Sequence, residues 1–134
     1  EIMPSLVGSE MCIRDSVNIA STAGLFESPG QAPYYASNHG AVALTRCMAL
    51  ELASTGVTCN AICPGFVDTP MLEGFADLVG AEADELRKRL AQRTPMGRIL
   101  DPSEIANLAV YLGGDESSGM TGQTMAISNG MRMS

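Results

Sequence analysis

Tryptophan is absent, histidine occurs once, and aromatic residues make up only 4% of the 134 residues. A chain so poor in rings is badly suited to act as a nucleic-acid platform, and with 14 glycines and 9 methionines it fits close helix-on-sheet packing better than a β-sandwich. Basic clusters are also missing. The formal net charge of -7 argues against phosphate-backbone binding, which takes grouped Lys and Arg. No run of about 18 apolar residues offers a membrane span. The cysteines at 12, 47, 59 and 63 contain no C-x-x-C pair, so neither a zinc site nor a redox pair is suggested; they read as buried thiols of a reducing compartment. His39 lacks clustered partners and reads as a helix-surface or packing residue, because a metal site needs several ligands. The expectation is a cytoplasmic protein with no metal, no nucleic-acid partner and no membrane partner.

Residues 1–16, EIMPSLVGSEMCIRDS, carry mixed charge and no sustained period, and they lack the charged start and apolar core of a signal peptide. They resemble a string that recurs where adapter DNA has been translated from short-read assemblies. Residues 1–16 are therefore expected to be non-native, and residues 17–134 to be a portion of a single domain. Removing Glu1, Glu10, Arg14 and Asp15 leaves the remainder acidic.

From residue 17 onward the chain is organised. Residues 17–20 form a short apolar run ending at Ser21, a plausible buried strand. Two prolines and two glycines make 24–33 a loop. From 34 to 54 proline is absent and Ala, Leu and Met dominate, predicting a long helix with Ala41, Leu44, Met48 and Leu52 on one apolar face, ended by Gly56. Residues 57–63 read as a second strand, closed by Pro64 and Gly65. Residues 69–80 read as a loop with helical tendency, and 81–92 as an amphipathic helix with Leu86 and Leu90 inward. Asp101, Pro102 and Glu104 form a helix-start signature for a helix running to about Leu112. A turn at 119–122 precedes a third short strand, 123–127. Strand, helix, strand, helix, helix, strand is the order of an α/β parallel sheet.

Within that frame VNIASTAG, then PYYASNHGAVALTRCMALELASTGVTCNAICPGFVDTPM, then GRILDPSEIANLAVYLGGDESSGMTGQTMAISNG closely resembles the C-terminal half of the short-chain dehydrogenase/reductase family. The resemblance covers residues 16–131. It implies a Rossmann-like doubly wound parallel sheet and an NAD- or NADP-dependent oxidoreductase that interconverts a secondary alcohol and a ketone. Ser21 matches the family serine that bonds the substrate oxygen, and Tyr34 matches the general acid/base. Asn38 stands where the family has lysine, which also reaches the nicotinamide ribose. Asn60, Pro64, Gly65 and Val67 match the turn lying against the nicotinamide, and Thr69 a hydroxyl near its carboxamide or the diphosphate. Residues 70–95 correspond to a variable lid over the small-molecule substrate. The helix of 34–54 matches one that packs against its counterpart in a homodimer or homotetramer.

Elementary chemistry supports the central residues. A free tyrosine has a pKa of about 10 and is a poor base at neutral pH, but a nearby cation depresses an acidic group by about 1 to 3 units. Positions four apart on a helix are adjacent, so a lysine at 38 would supply that cation. Asn38 keeps a hydrogen bond without the charge. Two alternatives stay open: a noncatalytic family member serving association or ligand binding, and a misread lysine codon. The glycine-rich phosphate-binding turn of the fold is not found in the sequence, nor is a triplet in the right strand-turn-helix setting. The chain alone is therefore expected to be inactive. With a sheet edge unpaired, and Val17, Ile19, Val57 and Ile62 short of cover, it is also expected to aggregate or partly unfold.

Overall fold

A computed structural model describes residues 15–132. Of the segment expected to be non-native, residues 1–14 lie outside the described residues, as does Cys12. Asp15 and Ser16 open the first strand, β1 (Asp15–Ile19), two residues earlier than the apolar run suggests. The remaining elements are α1 (Ala32–Leu52), β2 (Thr58–Pro64), α2 (Pro70–Val79), α3 (Ala83–Gln92), α4 (Pro102–Leu112) and β3 (Thr124–Ile127). They form one parallel sheet in the order β1-β2-β3, with Val17 opposite Asn60 and Ile62 opposite Met125. The α/β parallel-sheet expectation holds, with one helix more than expected between β2 and β3.

β2 is central and buried at every position, which requires cover on both its faces; α1 and α4 both pack against it. Pro64 ends this strand without breaking the ladder. Ala61 and Gly65 donate their N–H groups toward β3, to Gln123 and Ile127, so by alternation the missing donor of Pro64 faces β1, which has already ended. Ile62 is fully buried, correcting the expectation that it lacks cover, since helices pack against the faces of its strand. Val17 and Val57 are half-buried, and only Ile19 is exposed, at 56%.

The long helix begins at Ala32 rather than 34 because Pro33 is tolerated in the first turn. Its inward face is also a correction. Val42, Thr45 and Ala49 are the buried residues, whereas Leu44 is exposed and Ala41, Met48 and Leu52 are half-buried. The helix is apolar on more than one side, so small size and one partly buried hydrogen bond, Asn18 Nδ2 to Thr45 Oγ1 at 2.9 Å, decide which side meets the sheet. Cys47, on the outer side, is exposed rather than buried, while Cys59 and Cys63 are buried thiols.

Residues 70–79 form a full helix where the sequence suggests a loop with helical tendency, started by Pro70 and stopped by Gly80 at φ 65. Leu72, Ala76 and Leu86 make a small core between α2 and α3, with Ala83, Leu90 and Ile99 packed against it.

The start signature of α4 is realised in full. Asp101 accepts from Ser103 N at 2.8 Å, and Glu104 accepts from Asp101 N at 2.8 Å. Glu104 also takes two Arg98 nitrogens, each at 2.7 Å. Those bonds, Arg98 first, hold the Glu104 carboxyl below its ordinary 4.5, down to about 2. A depressed carboxylate stabilises the fold above 4.5, and that contribution disappears as pH falls through about 2. Glu104→Gln should therefore lower the thermal midpoint at pH 7, and the gap should close on acidification to pH 2; a gap independent of pH would count against it.

Candidate active site

Parallel strands and a returning helix bring the implied site residues to one edge. Ser21, Gly65 and Ser128 follow the carboxyl ends of β1, β2 and β3, and Tyr34 lies in the first turn of α1, which starts at that same edge. The carboxyl edge is where open α/β sheets place ligands.

Ser21 caps a short 3-10 turn, Thr22–Gly24, its Oγ accepting from Ala23 N at 3.1 Å. That bond uses a lone pair and leaves the hydroxyl hydrogen to donate. Gly24 then meets α1 with no room to spare: a Cβ there would lie 2.9 Å from the Asn38 carbonyl oxygen and 3.0 Å from Val42 Cγ2. Only glycine permits this approach. It sets the Ser21 turn along the helix face bearing Tyr34, Asn38 and Val42, residues spaced four apart.

Tyr34 is 49% exposed. Its ring meets Tyr35 edge-on at 6.2 Å, and Tyr35 meets Phe26 of the β1–α1 loop at 5.6 Å. The Arg132 guanidinium lies 3.6 Å from the Phe26 ring centre, pinning that loop from the far end of the described chain. Asn38 turns back on its own helix: Nδ2 donates to the Tyr34 carbonyl at 2.8 Å, beside Ser37 Oγ at 2.9 Å. No positive charge occupies position 38. His39, the next residue, bonds the Tyr35 carbonyl at 3.0 Å and has Glu27 3.8 Å away.

Cys63 lies just beneath Ser21. Burial pushes its thiol up, against the opposing pull of a Ser21 backbone hydrogen bond and the charge of Arg46. A neutral thiol there serves packing, not nucleophilic attack.

The turn after β2 is pinned to Leu100: Leu100 N donates to Phe66 O at 2.8 Å, and Asp68 N to Leu100 O at 2.9 Å, around the bridge from Val67 to Leu100. Pro64 is buried, and Gly65 is packed so closely that a Cβ would lie 3.0 Å from Ser128 Cα. Thr69 sits at the cap of α2, but its hydroxyl makes no capping bond. Asn60 is the exception among the residues matched to this turn. It is fully buried, Nδ2 donating to Met120 O at 2.7 Å and Oδ1 accepting from Gln123 N at 3.0 Å, so its amide joins β2 to the approach of β3. Nothing in the sequence marks Phe26 or Arg132 as neighbours of this site, and Gly24 leaves a trace only as the last member of the small-residue run STAG.

Comparison with known proteins gives a consistent result. A family model described as enoyl-(acyl carrier protein) reductase matches residues 11–132. A Streptomyces coelicolor protein named as a candidate ketoacyl reductase is 43% identical over 119 residues, covering 86% of this chain and 46% of that protein. The 3-oxoacyl-(acyl-carrier-protein) reductase FabG of Thermotoga maritima is 37% identical over 115 residues, covering 86% and 44%. Among solved structures, a variant of the actinorhodin polyketide ketoreductase with NADPH is 41% identical, with a TM-score of 0.78 over 87% of this chain and 46% of that one. The chain thus spans about half the length of the curated relatives it matches. Sequence blocks, parallel sheet and structural likeness agree, and the chain belongs to the short-chain dehydrogenase/reductase family.

Proposed function

We propose that this chain is the carbonyl-activating portion of an NAD(P)-dependent oxidoreductase that interconverts a secondary alcohol and a ketone. The observation that carries it is the Gly24 contact, which sets the Ser21 turn against the Tyr34–Asn38 face at the carboxyl edge of the sheet. The reducing group, when bound, supplies a hydride. Ser21 donates its hydroxyl hydrogen to the carbonyl oxygen and holds it, and Tyr34 delivers the proton that oxygen needs as it becomes an alcohol. In the opposite direction Tyr34 removes that proton.

The described residues fit one end of a dinucleotide. Pro64, Gly65 and Val67 give a rigid, apolar turn, Thr69 an uncommitted hydroxyl, and Asn38 a neutral amide at the ribose position. For the diphosphate there is no match: among the described residues no strand runs through a glycine-rich turn into a helix. That half of the grip must come from the rest of a full-length protein, and the 134-residue chain alone is inactive on this reading. The names of its relatives favour a 3-oxoacyl thioester as substrate and NADPH as reductant. Leu44 and Leu50, exposed on α1, support a homodimer or homotetramer, which we place in the cytoplasm.

A second reading has its own observation. With Asn38 tied to the Tyr34 carbonyl and no cation at that position, the protein binds ligand or partner without turning over. The assay that separates the two monitors NADPH absorbance in the full-length protein with a 3-oxoacyl thioester. Stoichiometric formation of the 3-hydroxy product supports the enzyme. Tight NADPH binding without any product, in Asn38 and Asn38→Lys proteins alike, would falsify it.

A further inference from the structure

Three carboxylates from separate places in the chain converge on one guanidinium at the margin of this site. Arg87 donates from Nε to Asp68 at 2.8 Å, from Nη2 to Glu73 at 3.2 Å and from Nη1 to Asp84 at 3.0 Å. Asp84 belongs to the first turn of α3, Glu73 to the first turn of α2, and Asp68 to the turn between Val67 and Thr69. Each nitrogen of the planar fork has its own acceptor, a geometry an ammonium cannot copy.

A single exposed pair contributes little. Here the consequence is larger, because removing Arg87 leaves three carboxylates around one point with no cation among them, and like charges drive their carriers apart. Those carriers are the turn, α2 and α3. The small core of Leu72, Ala76 and Leu86 holds the two helices to each other, and Leu100 holds the turn from its other side. The chain itself runs from Thr69 into α2, and Ile99 beside Leu100 packs on the helix pair; the side-chain tie from α3 to the turn is Arg87, with a weaker second one from Arg93, which lies 5.3 Å over the Phe66 ring.

We infer that Arg87 is a positioning residue that makes the α2–α3 lid and the turn of residues 64–69 move as one body, so that whatever orders the turn orders the lid. This rests on the proposed roles of the turn as cofactor-facing and of α2–α3 as a lid. A cofactor that binds the turn then prepares the substrate side before substrate arrives.

Hydrogen exchange in the full-length protein, with and without NADPH, tests it. In the wild type NADPH should slow exchange in α2 and α3 as well as in residues 67–69. Arg87→Leu keeps the aliphatic stem and should abolish the slowing in the helices, while the NADPH Kd changes less than about threefold and KM for the carbonyl substrate rises about fivefold or more. Asp68→Asn should reproduce this, and Arg87→Lys should restore only part; Arg93→Leu should leave the effect in place. Helix protection that persists in Arg87→Leu and Asp68→Asn overturns the inference. Should the wild type bind no NADPH, the functional reading fails on its own account. The coupling is then judged in the unliganded protein, where Arg87→Leu must speed exchange at residues 67–69 by about fivefold, and unchanged exchange there sinks it.

Discussion

Tyr34→Phe in the full-length protein should, on the proposed reading, lower kcat by about 100- to 10,000-fold, the contribution of a well-placed general acid or base. The NADPH Kd stays within about threefold, since only a hydroxyl is removed and the group acts in the transition state. The ring remains, so the edge contact with Tyr35 survives and the fold is undisturbed. Tyr35→Phe is the matched control, with a change of less than about threefold expected. Successive helical residues point about 100° apart, so only one of the two tyrosines shares the face of Asn38 and Val42 that Gly24 touches. That one is Tyr34. A larger loss in Tyr35→Phe would move the assignment by one residue and break the implied link to Ser21.

Asn38→Lys should raise turnover at least about tenfold near neutral pH, the worth of one pKa unit of proton-transfer energy. The native amide spends its donor on the Tyr34 carbonyl, 2.8 Å away and on the same helix. Lysine has the longer stem and a full charge, and one turn along the helix that charge favours the phenolate. In the alcohol-oxidising direction the rising limb of the pH profile should therefore move to lower pH, because the phenol ionises sooner. Equal rates and superimposed profiles for the two proteins would show that position 38 has no electrostatic role.

Local chemistry made some of this architecture readable in advance. The helix start at Asp101, Pro102 and Glu104 is written in three nearby side chains, and both hydrogen bonds of its capping box form as expected. β2 announces itself through a mostly apolar stretch, broken by Thr58 and Asn60 and closed by Pro64. Where the deciding partner is distant, the sequence is mute. Spacing points Leu44 inward, yet Thr45 is the buried residue because Asn18, on β1, bonds it. α2 is obscured by Gly74 in its middle, and its helix depends on packing against Leu86. Of the candidate site, the motifs mark Ser21 and Tyr34 as candidates. Its assembly was not legible, since nothing around Gly24 says that the Asn38 carbonyl will lie against it.

The separate core of Leu72, Ala76 and Leu86 bears on how such a protein diversifies. Because α2 and α3 bury their apolar side chains chiefly in each other, replacements on faces away from both that core and the Arg87 cluster leave the three-stranded sheet untouched. Met71, Phe75 and Leu78, all exposed, lie on such faces. On the proposed reading of α2 and α3 as a lid, that freedom lets substrate preference change on the pair while the proposed chemistry stays at Ser21 and at Tyr34 in the first turn of α1.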